Sequence, residues 1–425
     1  MSPRRRSTAK LRFVLVTLAA ASALLGSAPA EAVKRRAFAT SATGTGNLNS
    51  WPQADGLFGV AAGDRICQNL AAAAELDNAD QYRAWLSAPT LDAYCHVQGL
   101  DGTKEENCDG LGQGAGPWFQ LAGAGNYTGT LDELTGPEGI IFRGVFQDEE
   151  AFFLDPPSIG TYWTGTSRTG EALADTCSGW VVGDSGAEGG VGELRASAAR
   201  WSDRGFTGAC NTARRLLCLE RGASEAPAPT PWQPAAIAFV TRAAGNSNFD
   251  VWVTGEEAPG IPAADVLCRN QAAGGNLPSP DSFVAWLSDS SVDARDRLTL
   301  TNVAYRRVDG YVVANSKTDL IDGTNDLSIH VDQEGKYLTE NLGVFTGTLP
   351  DGTGSGGDCD DWTNAPPGNS TAGNAAHMRS DEWTDGPARL CNSSNHIYCF
   401  SNVETLFWDG FEITGDPTRW SAVTP

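Results

Sequence analysis

Between Ala62 and Leu76 the apolar residues recur at helical spacing: Ile66, Leu70 and the pair Ala73 and Ala74 share one face, with Cys67 beside it. The pattern predicts a helix whose inner face is tied by its cysteine to a distant part of the chain. A second helix is expected to carry the sequence Ala-Trp-Leu-Ser, which occurs at Ala84–Ser87 and again at Ala285–Ser288. Before the later copy, Ser279 is the expected N-cap and Pro280 the first helical residue, where a missing N–H does no harm. The other apolar runs are short, such as Gly139-Ile140-Ile141-Phe142 and Tyr311-Val312-Val313, and Gly, Asp and Asn separate them. Short strands joined by long loops follow, and an α+β, loop-rich fold class is expected.

The pattern is written twice. Phe38 and Phe239 each stand 29 residues before a cysteine, Cys67 or Cys268, and Trp51 and Trp252 each lie 13 residues after the phenylalanine. The tryptophan of each Ala-Trp-Leu-Ser follows that cysteine by 18 residues. Further on, Trp163-Thr164-Gly165-Thr166 matches Phe345-Thr346-Gly347-Thr348, and Cys177-Ser178-Gly179-Trp180 matches Cys359-Asp360-Asp361-Trp362. Trp201-Ser202-Asp203 and Trp383-Thr384-Asp385 then precede Cys210 and Cys391, and the last cysteines, Cys218 and Cys399, come eight residues later. Between its first two equivalent cysteines the first copy is longer by 19 residues, and the same 19 appear between Trp85 and Trp163. That stretch holds the two unmatched cysteines, Cys95 and Cys108, which cysteine parity pairs as a private loop disulfide. The expected organisation is a first domain over residues 37–220, a Pro/Ala-rich spacer over 221–236, a second domain over 237–401 and a tail over 402–425.

Arg4, Arg5, Arg6, Lys10 and Arg12 precede an apolar run from Phe13 to about Leu25, and Ala28-Pro29-Ala30 supplies small residues for cleavage. Residues 1–30 therefore read as a signal peptide, with cleavage after Ala32 as the alternative. The apolar run is shorter than the roughly 20 residues that span a bilayer, so no membrane insertion is expected. Removing five basic residues takes the net charge from -22 to about -27, which makes nucleic acid a poor partner. Ten cysteines in an exported chain read most simply as five disulfides. Structural zinc would need cysteines two to four residues apart, and the closest pairs here are eight apart.

Two helices first, then loop-rich strands, with four equivalently placed cysteines per copy, resemble the C-type-lectin-like fold, and more narrowly its endostatin-like branch and the bacterial DUF1554 domains. The resemblance covers both copies. It rests on the Cys67 and Cys268 helices, the two Ala-Trp-Leu-Ser segments, Trp163-Thr164-Gly165-Thr166 with its partner, and the endings Trp201 to Cys218 and Trp383 to Cys399. The family's connectivity implies Cys67–Cys218, Cys177–Cys210, Cys268–Cys399 and Cys359–Cys391. It also implies a secreted or cell-surface binding or adhesion protein that recognises a glycan or an extracellular protein, and no enzyme. A structural envelope protein without a specific ligand is the alternative, and an enzyme on the same fold is the third reading. The tail from Phe407-Trp408-Asp409-Gly410-Phe411-Glu412 to Trp420 is similar to short endings of exported bacterial proteins. It reads either as a sorting signal or as a strand packed on the second domain.

Candidate chemistry is sparse. Gly183-Asp184-Ser185-Gly186 has the wording of a serine nucleophile, but the histidine at Ala375-Ala376-His377 follows it in the other copy, so no triad is expected and Ser185 reads as a turn residue. None of the four histidines, His96, His330, His377 and His396, is shared between copies, and each reads as a surface or loop residue. Asp203 and Asp385 stand where lectins of the resembled fold hold calcium ligands, and Asp319, Asp322 and Asp326 or Asp358, Asp360 and Asp361 are further donors in the second copy. Calcium is thus the candidate ion, and no other cofactor is expected; one aspartate falls short of the six to eight oxygens calcium takes. The repeated tryptophans Trp51/Trp252, Trp85/Trp286, Trp180/Trp362 and Trp201/Trp383 read as core. Trp118, which aligns with Tyr305, is the candidate pair for exposed ligand contact.

Overall fold

The computed structural model describes residues 33–110, 112, 114–122, 125–154, 160–226, 232–253, 259–340, 342–378 and 381–406. The signal peptide and the Phe407–Trp420 ending lie outside these residues.

The first half folds around β1 (Arg35–Ala39), β2 (Tyr82–Ala84), β3 (Trp118–Phe119), β4 (Thr161–Trp163), β5 (Glu188–Glu193), β6 (Thr207–Ala209) and β7 (Arg215–Glu220). They form one sheet in the order β3-β1-β7-β4-β5-β6, with β2 also on β7. The second half has β8 (Ala236–Val240), β9 (Phe283–Ala285), β10 (Tyr305–Arg307), β11 (Val312–Ala314), β12 (Gly343–Phe345), β13 (Asn369–Ser370), β14 (Ala372–Asn374), β15 (Arg389–Leu390) and β16 (His396–Ser401). Its sheet runs β11-β10-β8-β16-β12-β14, with β9 on β16, and β13 pairs separately with β15. In each half the first and last strands are neighbours, and β3-β1-β7-β4-β5 answers β10-β8-β16-β12-β14; the second half adds β11 outside β10, and its β13–β15 pair stands apart from the sheet.

One long helix per half, Gly59–Ala73 and Ile261–Gly274, packs on that sheet. The first buries Ala62, Ile66, Cys67, Leu70 and Ala71; Ile66 and Leu70 lie inward as the spacing predicts, whereas Ala73 is exposed and Ala74 half-buried, and Ala71 takes the inner position. Its Cys67 is bonded to Cys218 on β7 with 5.6 Å between Cα atoms, and Cys268 is bonded to Cys399 on β16 at 5.5 Å. Cys177–Cys210, Cys359–Cys391 and Cys95–Cys108 complete the set, and no cysteine is free. The structure is thus a mixed α+β protein cross-linked by five disulfides, and among the described residues no helix is long and apolar enough to cross a membrane.

The second expected helix is absent. Tyr82–Ala84 and Phe283–Ala285 are strands, preceded only by the 3₁₀ turns Ala79–Gln81 and Pro280–Ser282. Ser279 sits in a left-handed conformation and its side chain caps nothing. The free edge of the last strand decides this. Trp85 N–H donates to Leu217 O at 2.8 Å and Trp286 N–H to Tyr398 O at 2.9 Å, bonds that an isolated short helix could not replace. Tyr82 and Ala84 are buried with the half-buried Arg83 between them, the alternation of a strand. Likewise Gly139–Phe142 is loop with a single bridge from Ile141 to Thr128, whereas Val312 and Val313 lie in β11.

All described residues fall in one compact unit, and the two halves share a buried seam. Ala196 and His377 pair as an antiparallel bridge, Ser197 N–H donates to Ala376 O at 2.9 Å, and Met378 enters the first half's core. The register pairs Thr161 with Glu193 in one half and Gly343 with Asn374 in the other, so Glu193 and Asn374 are equivalent. Three residues on, Ala196 and His377 are therefore equivalent too. The bridge thus joins equivalent positions of the two halves.

Candidate functional site

The residues shared by the two halves are committed to structure. Trp85 Nε1 donates to Ser202 Oγ at 2.8 Å, and Trp286 Nε1 donates to Thr384 Oγ1 at 2.9 Å. Trp180 and Trp362 donate to the carbonyls of Ser87 and Ser288 at 2.7 and 2.8 Å. Thr164 and Thr346 hydroxyls donate to the carbonyls of Ser202 and Thr384. All these side chains are buried, so every partner is needed to satisfy another. The Ser or Thr of each Trp-Ser/Thr-Asp motif is an acceptor for a core indole.

Asp203 Oδ1 accepts from Gly205 N–H at 2.8 Å, closing a turn, and neither Asp203 nor Asp385 belongs to a converging ligand group among the described residues. The accessory aspartates also serve as caps: Asp319 accepts from Asn315, Asp322 from Thr324, Asp358 from Asp361 N–H and Asp361 from Ser290 N–H. Trp118 and Tyr305 are completely buried, so neither offers a face to a ligand. Trp118 Nε1 donates to Glu220 O at 2.9 Å and the Tyr305 hydroxyl to Leu300 O at 2.8 Å. They occupy equivalent strands, β3 and β10, beside the first strand of each half. Core packing on the strand beside each half's first strand replaces the expected exposure. Ser185 lies in an exposed turn capped by Asp184.

The histidines are not surface residues. His330 and His396 are buried, and His96 is half-buried against Asp64 at 2.8 Å. His396 Nδ1 donates to Thr241 O, which makes it a strand anchor. His330 lies in the seam. Its Nε2–H donates to Ile141 O of the first half at 3.0 Å, and its Nδ1 accepts from Ser328 Oγ at 2.9 Å and faces Arg307 Nη1 at 3.3 Å. Burial, reinforced by Arg307, holds its pKa well below the ordinary histidine value. Arg307 is itself fully buried. It grips Asp309 through Nη2 at 2.6 Å and donates to Ser328 O at 3.0 Å and to Phe142 O of the first half at 3.2 Å. Phe142 stacks on Tyr311 with 4.7 Å between ring centres.

A second polar cluster lies by the Ala196–His377 bridge. Glu193 at the end of β5, His377 and Glu382 form the group of potential ligands that converges among the described residues. His377 Nε2 is 3.0 Å from Glu382 Oε2 and 3.7 Å from Glu193 Oε2. Glu193 Oε2 is also held by Arg200 at 2.7 Å and Arg204 at 3.4 Å. Burial pushes the His377 pKa down, more than the Glu193 and Glu382 carboxylates lift it, and Arg200 and Arg204 push the same way. The imidazole is therefore neutral near pH 7. Of the three, the sequence singles out only His377; Glu193 and Glu382 carry no motif, and Glu193 meets His377 only through the contact between the halves at the Ala196–His377 bridge.

The exposed aromatic side chains lie elsewhere. Phe152 and Phe153 are 64% and 59% exposed on a turn closed by the Gln147–Phe153 bridge. Asp148 Oδ1 fixes that turn by accepting from Glu150 and Phe152 N–H groups, and Phe153 stacks on Phe146. Phe58 and Phe206 are also exposed, and all four belong to the first half. No family model and no curated protein matches the chain.

Proposed function

We propose that this chain is an exported binding protein built from two C-type-lectin-like domains, and that it recognises a glycan or extracellular protein through loops of its first half. The observation that supports this reading is a division of labour. The residues repeated in both halves are spent on buried hydrogen bonds, while Phe152 and Phe153 stand exposed on a turn rigidified by Asp148. Pre-ordered aromatic faces lose little entropy on binding, which is what loop-based recognition requires. Five disulfides fit an oxidising compartment beyond the cytoplasm. The test is a glycan and matrix-protein binding screen with the wild-type chain and a Phe152→Ser/Phe153→Ser variant. The expected result is a ligand bound by the wild type and lost in the variant at unchanged thermal stability; absence of any specific ligand would favour a structural envelope role.

A further inference from the structure

The Glu193, His377 and Glu382 cluster has a feature that a plain ion-pair network would not leave behind. His377 is 5% exposed, and its Nε2 has no hydrogen-bond partner although two carboxylates stand close to it. A buried nitrogen without a partner costs about 1–3 kcal/mol, so the arrangement calls for a group that binds it. The nitrogen-to-oxygen separations of 3.0 and 3.7 Å bracket the about 3.3 Å between ligands of a tetrahedral ion with bonds of about 2.0–2.1 Å. All three ligand atoms lie within 4.8 Å of one another, and the half-exposed Glu382 leaves a route from solvent.

We propose that His377, Glu193 and Glu382 bind a zinc-class divalent ion that joins the two halves across their seam, with water completing the coordination. The donor set selects the ion: one imidazole and two carboxylates suit zinc, whereas calcium would want six to eight oxygens. Arg200 and Arg204 both hold Glu193 Oε2, at 2.7 and 3.4 Å, so an ion shares that oxygen with them and relies most on the imidazole nitrogen and Glu382. The fold does not need the trio. The repeat equivalents of Glu193, His377 and Glu382 are Asn374, Ala196 and Arg200, a set that could not hold a cation. With every cysteine in a disulfide, no thiol competes.

Zinc chloride titrated calorimetrically into the full chain at pH 7.4, with metal counted by mass spectrometry after dialysis, tests the site. One zinc per chain is expected. His377→Ala and, at the more exposed ligand, Glu382→Gln should each weaken binding by more than about tenfold, while His96→Gln leaves it unchanged. No zinc on the wild-type chain, or zinc bound as tightly by Glu382→Gln and His377→Ala as by wild type, would overturn the proposal.

Discussion

Replacing Arg307 with Met tests the seam most sharply, because this guanidinium spans it. Its side chain is fully buried, it grips both oxygens of Asp309 at 2.6 and 3.1 Å, and it donates to carbonyls from both halves, Phe142 O and Ser328 O. Removing one partner of a buried pair costs about 3–5 kcal/mol, mostly from the charge left behind. Asp309 is 14% exposed and keeps the Tyr337 hydroxyl at 2.7 Å, so the lower end applies, about 3 kcal/mol. A shift of that size changes the folding equilibrium by more than about a hundredfold. Urea unfolding followed by tryptophan fluorescence reads it directly. The double variant Arg307→Met/Asp309→Asn removes both charges and should recover at least half of the loss. A single variant within about 0.5 kcal/mol of wild type, or a double variant worse than the single, would refute the role assigned to Arg307.

Other consequences are equally open to measurement. Because the folded pKa of His330 lies below its unfolded value of about 6.5, its contribution is fully present above that pH and is lost on acidification. Unfolding free energies between pH 5 and 6.5 should therefore fall more steeply for wild type than for His330→Gln, by up to about 1.4 kcal/mol per pH unit; equal slopes would contradict this. Ser202→Ala and Thr384→Ala each strand a buried indole N–H, of Trp85 or Trp286, and should cost about 1–3 kcal/mol apiece by chemical denaturation. Unequal outcomes, with one variant neutral, would break the claimed equivalence of the two networks. Cys67→Ser/Cys218→Ser opens a loop of 151 residues and should lose about 5 kcal/mol, against about 3 for Cys95→Ser/Cys108→Ser, which opens 13. Calorimetry that ranked the two in the reverse order would count against the loop-entropy account.

Much of each half was legible because its determinants are local or repeated. Ile66 and Leu70 set the helix face around Cys67, and the doubled tryptophans marked the core, apart from the half-buried Trp252. What escaped depended on contacts far apart in sequence. The helical reading of Ala-Trp-Leu-Ser failed because the strand edge that captures it, Leu217 to Glu220, lies more than a hundred residues away. Trp118 was expected outside because the unmatched stretch between Trp85 and Trp163 reads as loop, yet its indole closes over β7. The seam was invisible for a different reason. It is made by main-chain carbonyls of Ile141 and Phe142, which have no sequence signature, and by Arg307 and His330, which ordinary statistics place at the surface. The candidate site shares that difficulty, since Glu193 and His377 come from different halves.

The central claim is that one disulfide-closed unit occurs twice, each time with its first helix bonded to its last strand. Peptide mapping by mass spectrometry under non-reducing conditions tests it in a single experiment. The account predicts Cys67–Cys218 and Cys268–Cys399 together with Cys177–Cys210, Cys359–Cys391 and Cys95–Cys108. Any bridge joining a cysteine before residue 221 to one after residue 236, or free thiols at Cys67 and Cys218, would contradict it.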